Sequence, residues 1–176
     1  MPPERPRAAR RDIIATMSES SLSHLDAAGQ AHMVDVGGKA ESERTAVARG
    51  RVVFSAATLA AVLAGDIKKG DDRGVPRLAG IQAAKRTSDL IPLCHPIGLT
   101  HVDLQIEPSQ SPSGMQVEAT VQCVGRTGVE MEAMTAVTIA CLTIYDMIKG
   151  IDRAARITDV RLVAKRGGRS GDIRLE

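Results

Sequence analysis

Two runs of alternating apolar residues, joined by a turn, constrain this chain more than any other feature. In the first, Val102, Leu104 and Ile106 face one way; in the second, Met115, Val117, Ala119, Val121 and Cys123 do. Period-two alternation marks a strand with one face buried. Pro108 to Gly114 is a connection short enough to make the two runs antiparallel neighbours. The period then changes. From Gly128-Val129-Glu130-Met131-Glu132 to Ile144-Tyr145-Asp146-Met147-Ile148-Lys149 the chain reads as one long apolar helix over 129–149, and Ile157 to Val163 reads as a closing strand.

Upstream, residues 44–54 carry β-branched alternation and predict a strand. Ser55 is a suitable N-cap for a helix over 56–63, which Gly65 stops. After the loop Lys68–Gly74 a second helix is expected from Pro76 to Leu90, where Ala79-Gly80 and Ala83-Ala84 permit close approach of another backbone. Pro92 ends it and Pro96 prevents a restart, leaving Leu93-Cys94-His95 as short extended chain. With the extra helix set aside, the order is β-α-β-β-α-β. That is an α+β ferredoxin-like fold, an antiparallel sheet with helices on one face. The other face has no cover within the chain, so association through it is expected.

At 176 residues the chain suits one domain with a real core. Its expected bounds are 22–171, between a disordered N-terminal tail (1–21) and a C-terminal tail (172–176). The formal charge of +2 belongs to residues 1–16, where four arginines oppose Glu4 and Asp12. With no run of transmembrane length and no signal pattern, a soluble cytoplasmic protein without membrane contact is expected. Cys94, Cys123 and Cys141 match neither a zinc spacing nor a disulfide framework, which agrees with a reducing compartment. Phe54 and Tyr145 are the only aromatic residues, too few to stack single-stranded nucleic acid.

Chemistry is expected where a charge stands against local preference. Asp146 falls in the last turn of the long helix, beside unsatisfied carbonyls and the negative end of the macrodipole. Lys149, three residues on, shares its face and completes an acid/base pair. Glu130 fits a capping box with Thr127 as N-cap, and Glu132 adds a favourable charge to the first turn. Glu132 and Asp146 are fourteen residues apart, or ~21 Å along a helix, so one small guest cannot touch both ends within one subunit. Either two sites exist, or a two-fold partner brings its Asp146 end beside the first subunit's Glu132 end. His95, between two prolines, is a displayed side chain, whereas Cys94 reads as a small packed residue. Lys69 and Lys165 have solvated positions as their ordinary explanation, and Gly167–Gly171 is either a phosphate-wrapping backbone or a flexible exit. No H-E-x-x-H, Walker loop or G-x-G-x-x-G is present, so nothing demands a metal.

Five strings together carry a family resemblance: His32-Met33-Val34-Asp35-Val36; Ala79 through Lys85-Arg86-Thr87-Ser88-Asp89-Leu90-Ile91-Pro92-Leu93-Cys94-His95-Pro96; Arg126-Thr127-Gly128-Val129-Glu130-Met131-Glu132-Ala133; Leu142-Thr143-Ile144-Tyr145-Asp146-Met147-Ile148-Lys149; and Lys165-Arg166-Gly167-Gly168-Arg169-Ser170-Gly171. From about Leu22 to Gly171 the chain resembles the cyclic pyranopterin monophosphate synthase family (MoaC-type) of molybdenum cofactor biosynthesis. One segment departs from it. Lys69-Gly70-Asp71-Asp72-Arg73-Gly74-Val75-Pro76-Arg77 stands where the family shows Lys-Gly-Asp, an aliphatic residue and an Ala-Thr-Ala-Arg-like run, which alters the helix start near Lys69.

The resemblance implies a lyase that converts 3′,8-cyclo-7,8-dihydro-GTP, made by a radical GTP cyclase, to cyclic pyranopterin monophosphate and pyrophosphate. It implies a homohexamer, a trimer of dimers with sites at the dimer interface. It assigns catalysis to Asp146, Lys149 and Lys69, and substrate binding to Leu93, Cys94, His95, Glu130, Met131 and Glu132. Lys69, Lys165, Arg44 and Lys39 become the cations for the triphosphate, and a lysine among cations is expected to have a lowered pKa. No cofactor is required; a divalent cation travelling with the triphosphate stays open. The rival readings are a catalytically inactive ferredoxin-like nucleotide-binding regulatory module and a structural assembly protein.

Overall fold

The computed structural model describes residues 29–66, 70–169 and 171–176, so the expected tail over 1–21 lies outside the described residues. Strand β1 (Ser42–Val53) buries Ala46, Ala48, Gly50 and Val52 by simple alternation. Ser55 then caps α1 (Ala56–Leu63) as expected, its Oγ accepting from the Thr58 N–H at 3.1 Å. Asp152, from the loop that follows the long helix, accepts from the Ser55 N–H and the Thr58 hydroxyl, both at 3.0 Å, which ties that loop to the start of α1.

The helix expected over Pro76–Leu90 is two pieces, α2 (Gly74–Ala84) and α3 (Thr87–Leu90). It breaks because the Thr87 hydroxyl turns back onto the Ala84 carbonyl at 3.1 Å, a local bond that competes with helix continuation. Its start lies two residues before Pro76. Asp71 Oδ1 accepts from the N–H groups of Gly74 (2.8 Å) and Arg73 (3.1 Å), taking over the capping role. Pro76 falls in the first turn, where no N–H is needed.

Strands β2 (Leu99–Gln110) and β3 (Ser113–Gly125) form the predicted hairpin, with a tighter connection than Pro108–Gly114. Pro108 pairs with Met115 inside the ladder, and a cis Ser111-Pro112 bond sits in the turn. A ladder proline is tolerated there because β2 is an edge strand. The long helix α4 spans Glu130–Ile148, β4 spans Arg156–Arg166, and a short β5 (Ile173–Arg174) extends the sheet past residue 171.

The sheet order is β2-β3-β1-β4-β5, with antiparallel pairing throughout. This is the ferredoxin-like arrangement with β5 added outside β4. Residues 35–176 form one compact unit; of the other unit, residues 1–34, the described part begins at Gly29 and contains an isolated bridge at Ala31. By length and composition alone α4 could cross a membrane, contrary to the expectation that no run reaches that size. Its Ala133, Ala136, Val137, Ala140, Cys141 and Ile148 are buried in the core with Val52, Leu104, Ile106, Val117 and Val121, so it is the core helix of the unit. Gly80 lets α2 press on α4: a Cβ there would meet the Ala136 carbonyl oxygen at 2.9 Å, as well as the Leu104 side chain. On the open face of the sheet Arg49 pairs with Glu118 and Glu176, and Arg161 also holds Glu176.

Candidate active site

Several of the expected binding residues gather at the N-terminal end of α4. A cleft of about 590 Å³ opens there between the lead-in to β1, the end of β4 and the first turn of the helix. Five cations line it, Lys39, Arg44, Arg126, Lys165 and Arg169, against two acids, Glu41 and Glu130. Lys165 Nζ lies 3.0 Å from Glu130 Oε1. The capping box does not form: the N-cap is Val129, without a side-chain bond, so Thr127 does not cap. Glu130 therefore spends its carboxylate on Lys165, across the cleft, rather than on its own helix.

Arg44 is held by backbone. Its Nε donates to the Gly125 carbonyl at 3.3 Å, and its guanidinium lies where a Cβ on Gly168 would stand. Gly167 and Gly168 have φ of +86° and +78°, a region that favours glycine, so the chain leaving β4 can fold over Arg44. The Gly171 N–H is bonded to the Gly168 carbonyl at 3.1 Å and the Gly167 N–H to Asp172 Oδ1 at 3.2 Å. Those two donors are spent internally, and the segment packs against a cation at the edge of the cleft.

A second cavity of about 500 Å³ adjoins the first and holds His95, with Val36, Pro96, Gly98 and Val124. Leu93 and Cys94 lead into it half-buried, with the Cys94 N–H on the Ile91 carbonyl at 3.0 Å. Burial, and secondly the charge of Glu132, push the Cys94 thiol up, which agrees with a packed residue rather than a nucleophile. Glu132 is only 3% exposed. Burial first, and the neighbouring Glu130 charge to a lesser degree, push its carboxyl up to about 7, although a bond to its own backbone opposes this. Met131, beside it, is exposed.

Asp146 and Lys149 stand at the opposite end of α4 and line neither cavity. They form the expected i,i+3 pair, Lys149 Nζ to Asp146 Oδ1 at 2.6 Å, both about half exposed. The hydrogen bond to Asp146 raises the Lys149 pKa, opposite to the lowered lysine pKa expected from the resemblance. Lys69 lies outside the described residues. Within one chain, then, Lys39, Arg44, Glu130 and Lys165 share a cleft, His95 lies next door, Glu132 is buried, and the acid/base pair is remote.

Arg126 and Arg169 line the cleft although sequence reasoning gave neither a role. Both belong to the segments that carry the family resemblance, where their charge beside Glu130 and Lys165 was the signal. Among the described residues no group of three His, Cys, Asp or Glu side chains could hold a metal ion.

The MoaC family model matches residues 33–168. A cyclic pyranopterin monophosphate synthase of Chloroflexus aurantiacus is 58% identical over 158 residues, covering 89% of this chain and 97% of the relative. That of Chloroflexus aggregans is 57% identical over 155 residues, with 88% and 94% covered. The Brucella ovis protein of the same name is 56% identical over 151 residues, with 86% and 92% covered.

Proposed function

This chain belongs to the MoaC family, and from that premise we propose how it acts as a cyclic pyranopterin monophosphate synthase in molybdenum cofactor biosynthesis. The substrate is 3′,8-cyclo-7,8-dihydro-GTP, supplied by a radical GTP cyclase, and the products are cyclic pyranopterin monophosphate and pyrophosphate. The reaction makes it a phosphorus–oxygen lyase, and its free cysteines suit the reducing cytoplasm. The observation that carries this reading is the concentration of five cations around one cleft at the N-terminus of α4, which suits a triphosphate.

Arg44, Lys39 and Lys165 hold the triphosphate, with Lys69 as a further cation. A sugar-derived hydroxyl releases its proton to solvent as its oxygen bonds to the α-phosphorus, the bond from that phosphorus to the bridging oxygen breaks, and pyrophosphate leaves with the electron pair. Fixed guanidinium and ammonium groups stabilise the charge that collects on it. The ring portion lies against Leu93, Cys94, His95, Met131 and Glu132. Ring rearrangement needs a proton acceptor and a proton donor within reach of the ring: the Asp146 carboxylate accepts, and Lys149, kept charged by Asp146, donates.

That pair must come from a second copy, because α4 is too long for one guest to reach both ends. A homohexamer built as a trimer of dimers, with the Asp146 end of one protomer beside the His95 end of the next, completes the site. The chain's own residues suffice for these steps, and any divalent cation arrives with the triphosphate. The test is to mix the protein with the cyclic GTP intermediate and follow pyrophosphate and product, with solution mass measured in parallel. Equimolar pyrophosphate and product from a hexamer is the expected result. Ligand binding without pyrophosphate release points instead to the regulatory nucleotide-binding module.

A further inference from the structure

The two cavities at the end of α4 share a wall. Glu41, Arg126 and Thr127 line both. Arg126 builds that wall by reaching from the end of β3 to the segment that leads into β1. Its Nη1 donates to the Gly37 carbonyl at 3.1 Å, and its Nε stands 3.8 Å from Glu41 Oε1. The Gly37 end is firm: Asp35 Oδ1 accepts from the Gly37 N–H at 2.7 Å and the Lys39 N–H bonds to the Val36 carbonyl at 3.1 Å, closing residues 35–39 into a turn. The Glu41 end is loose. At 3.8 Å it is beyond hydrogen-bond distance, and side chains 47% and 61% exposed leave the attraction screened by solvent.

A guest with its polyphosphate among Arg44, Lys39 and Lys165 and its ring against His95 has to cross this wall. Resting on the synthase reading, we propose that Arg126 exchanges partners on substrate binding, leaving Glu41 for a phosphoryl oxygen while keeping the Gly37 carbonyl, so that the two cavities become one continuous site. A phosphoryl group is the better partner, since it carries more charge than a carboxylate and accepts two parallel N–H bonds from a guanidinium. Glu41 competes with the substrate for the same group. The Gly37 bond keeps Arg126 on the wall throughout, and the weakness of its Glu41 pair makes the exchange cheap.

Pyrophosphate is the probe, with binding measured calorimetrically on the full chain and steady-state kinetics alongside. Glu41→Gln removes the competitor and should bind pyrophosphate about threefold to tenfold tighter. Arg126→Gln should bind it at least about tenfold more weakly and raise KM more than it lowers kcat, because the contact is made before and during reaction alike. Arg126→Lys should fall between, keeping charge without the fork. In the double variant the Glu41 substitution should no longer matter. Additive effects, an unchanged Kd in Arg126→Gln, or a wild-type protein that binds no pyrophosphate each overturn the exchange. If the variants follow the expected pattern but wild type releases no pyrophosphate from the cyclic GTP intermediate, the synthase reading fails alone. If turnover is intact and the pattern absent, only the exchange fails.

Discussion

Lys165 Nζ and Glu130 Oε1, 3.0 Å apart, join the end of β4 to the first turn of α4 across the cationic cleft. Both side chains are mostly sheltered, at 21% and 28% exposed, yet still wet enough that the pair is worth no more than ~1 kcal/mol to the fold. Its larger effect is to hold the ammonium at a fixed place. Lys165→Ala should therefore leave the melting temperature within about 5 °C of wild type while weakening pyrophosphate binding by about tenfold or more. Thermal unfolding and calorimetry separate the two. A large loss of stability with unchanged anion affinity would make the lysine structural.

Asp146→Asn keeps shape and removes the charge. Asp146 stands about half exposed near the helix C-terminus, where a carboxylate is disfavoured by the dipole, so losing its bond to Lys149 should leave the melting temperature close to wild type. Turnover should fall by roughly 10²-fold or more, the range of a positioned proton-transfer group, with the oligomer intact. Product formation at the wild-type rate would remove Asp146 from the mechanism.

Gly168→Ala tests how Arg44 is held. The backbone there has φ of +78°, and the added Cβ would fall on the Arg44 guanidinium. Strain of about 1–2 kcal/mol is expected from the left-handed conformation alone. Displacement of the guanidinium should also raise KM for the triphosphate substrate. A variant with lowered melting temperature and unchanged KM would show that Arg44 keeps its place without Gly168.

Periodicity carried most of this fold. The hairpin, the α1 cap at Ser55 and the long helix were legible because alternation, a capping serine and a 3.6-residue apolar stripe are local signals. The failures were also local, but with two explanations available. Thr127 and Glu130 have capping-box spacing, yet Glu130 is captured by Lys165 from a strand 35 residues away. Asp71 caps α2 across a departure from the family pattern, and Thr87 cuts the expected helix by a single hydroxyl bond. β5 is two residues long, below what alternation can register. In the site, Lys39, Arg44 and Lys165 were grouped in advance through the resemblance, but Arg126 and Arg169 were not: they join the cleft because the ends of β3 and β4 flank the start of β1.

Glu132 ties burial to pH. In the folded chain its carboxyl titrates near 7, raised mainly by burial, against an ordinary 4.5. Below 4.5 both folded and unfolded chains hold the proton, and this group costs nothing. As pH rises from 4.5 towards 7 the unfolded chain ionises first, so the folded state loses stability through that window and carries the full penalty above it. The rise from 4.5 to about 7 corresponds to a penalty on the order of 3 kcal/mol above pH 7, as an upper bound. Glu132→Gln resembles the protonated form and should match wild type at pH 4, then become the more stable protein as pH approaches 8. Urea unfolding of both proteins across that range provides the measurement. A stability difference that stays constant with pH would mean that Glu132 is ionised in the folded chain as readily as in the unfolded one, and that its place near Cys94 is wetter than its 3% exposure implies.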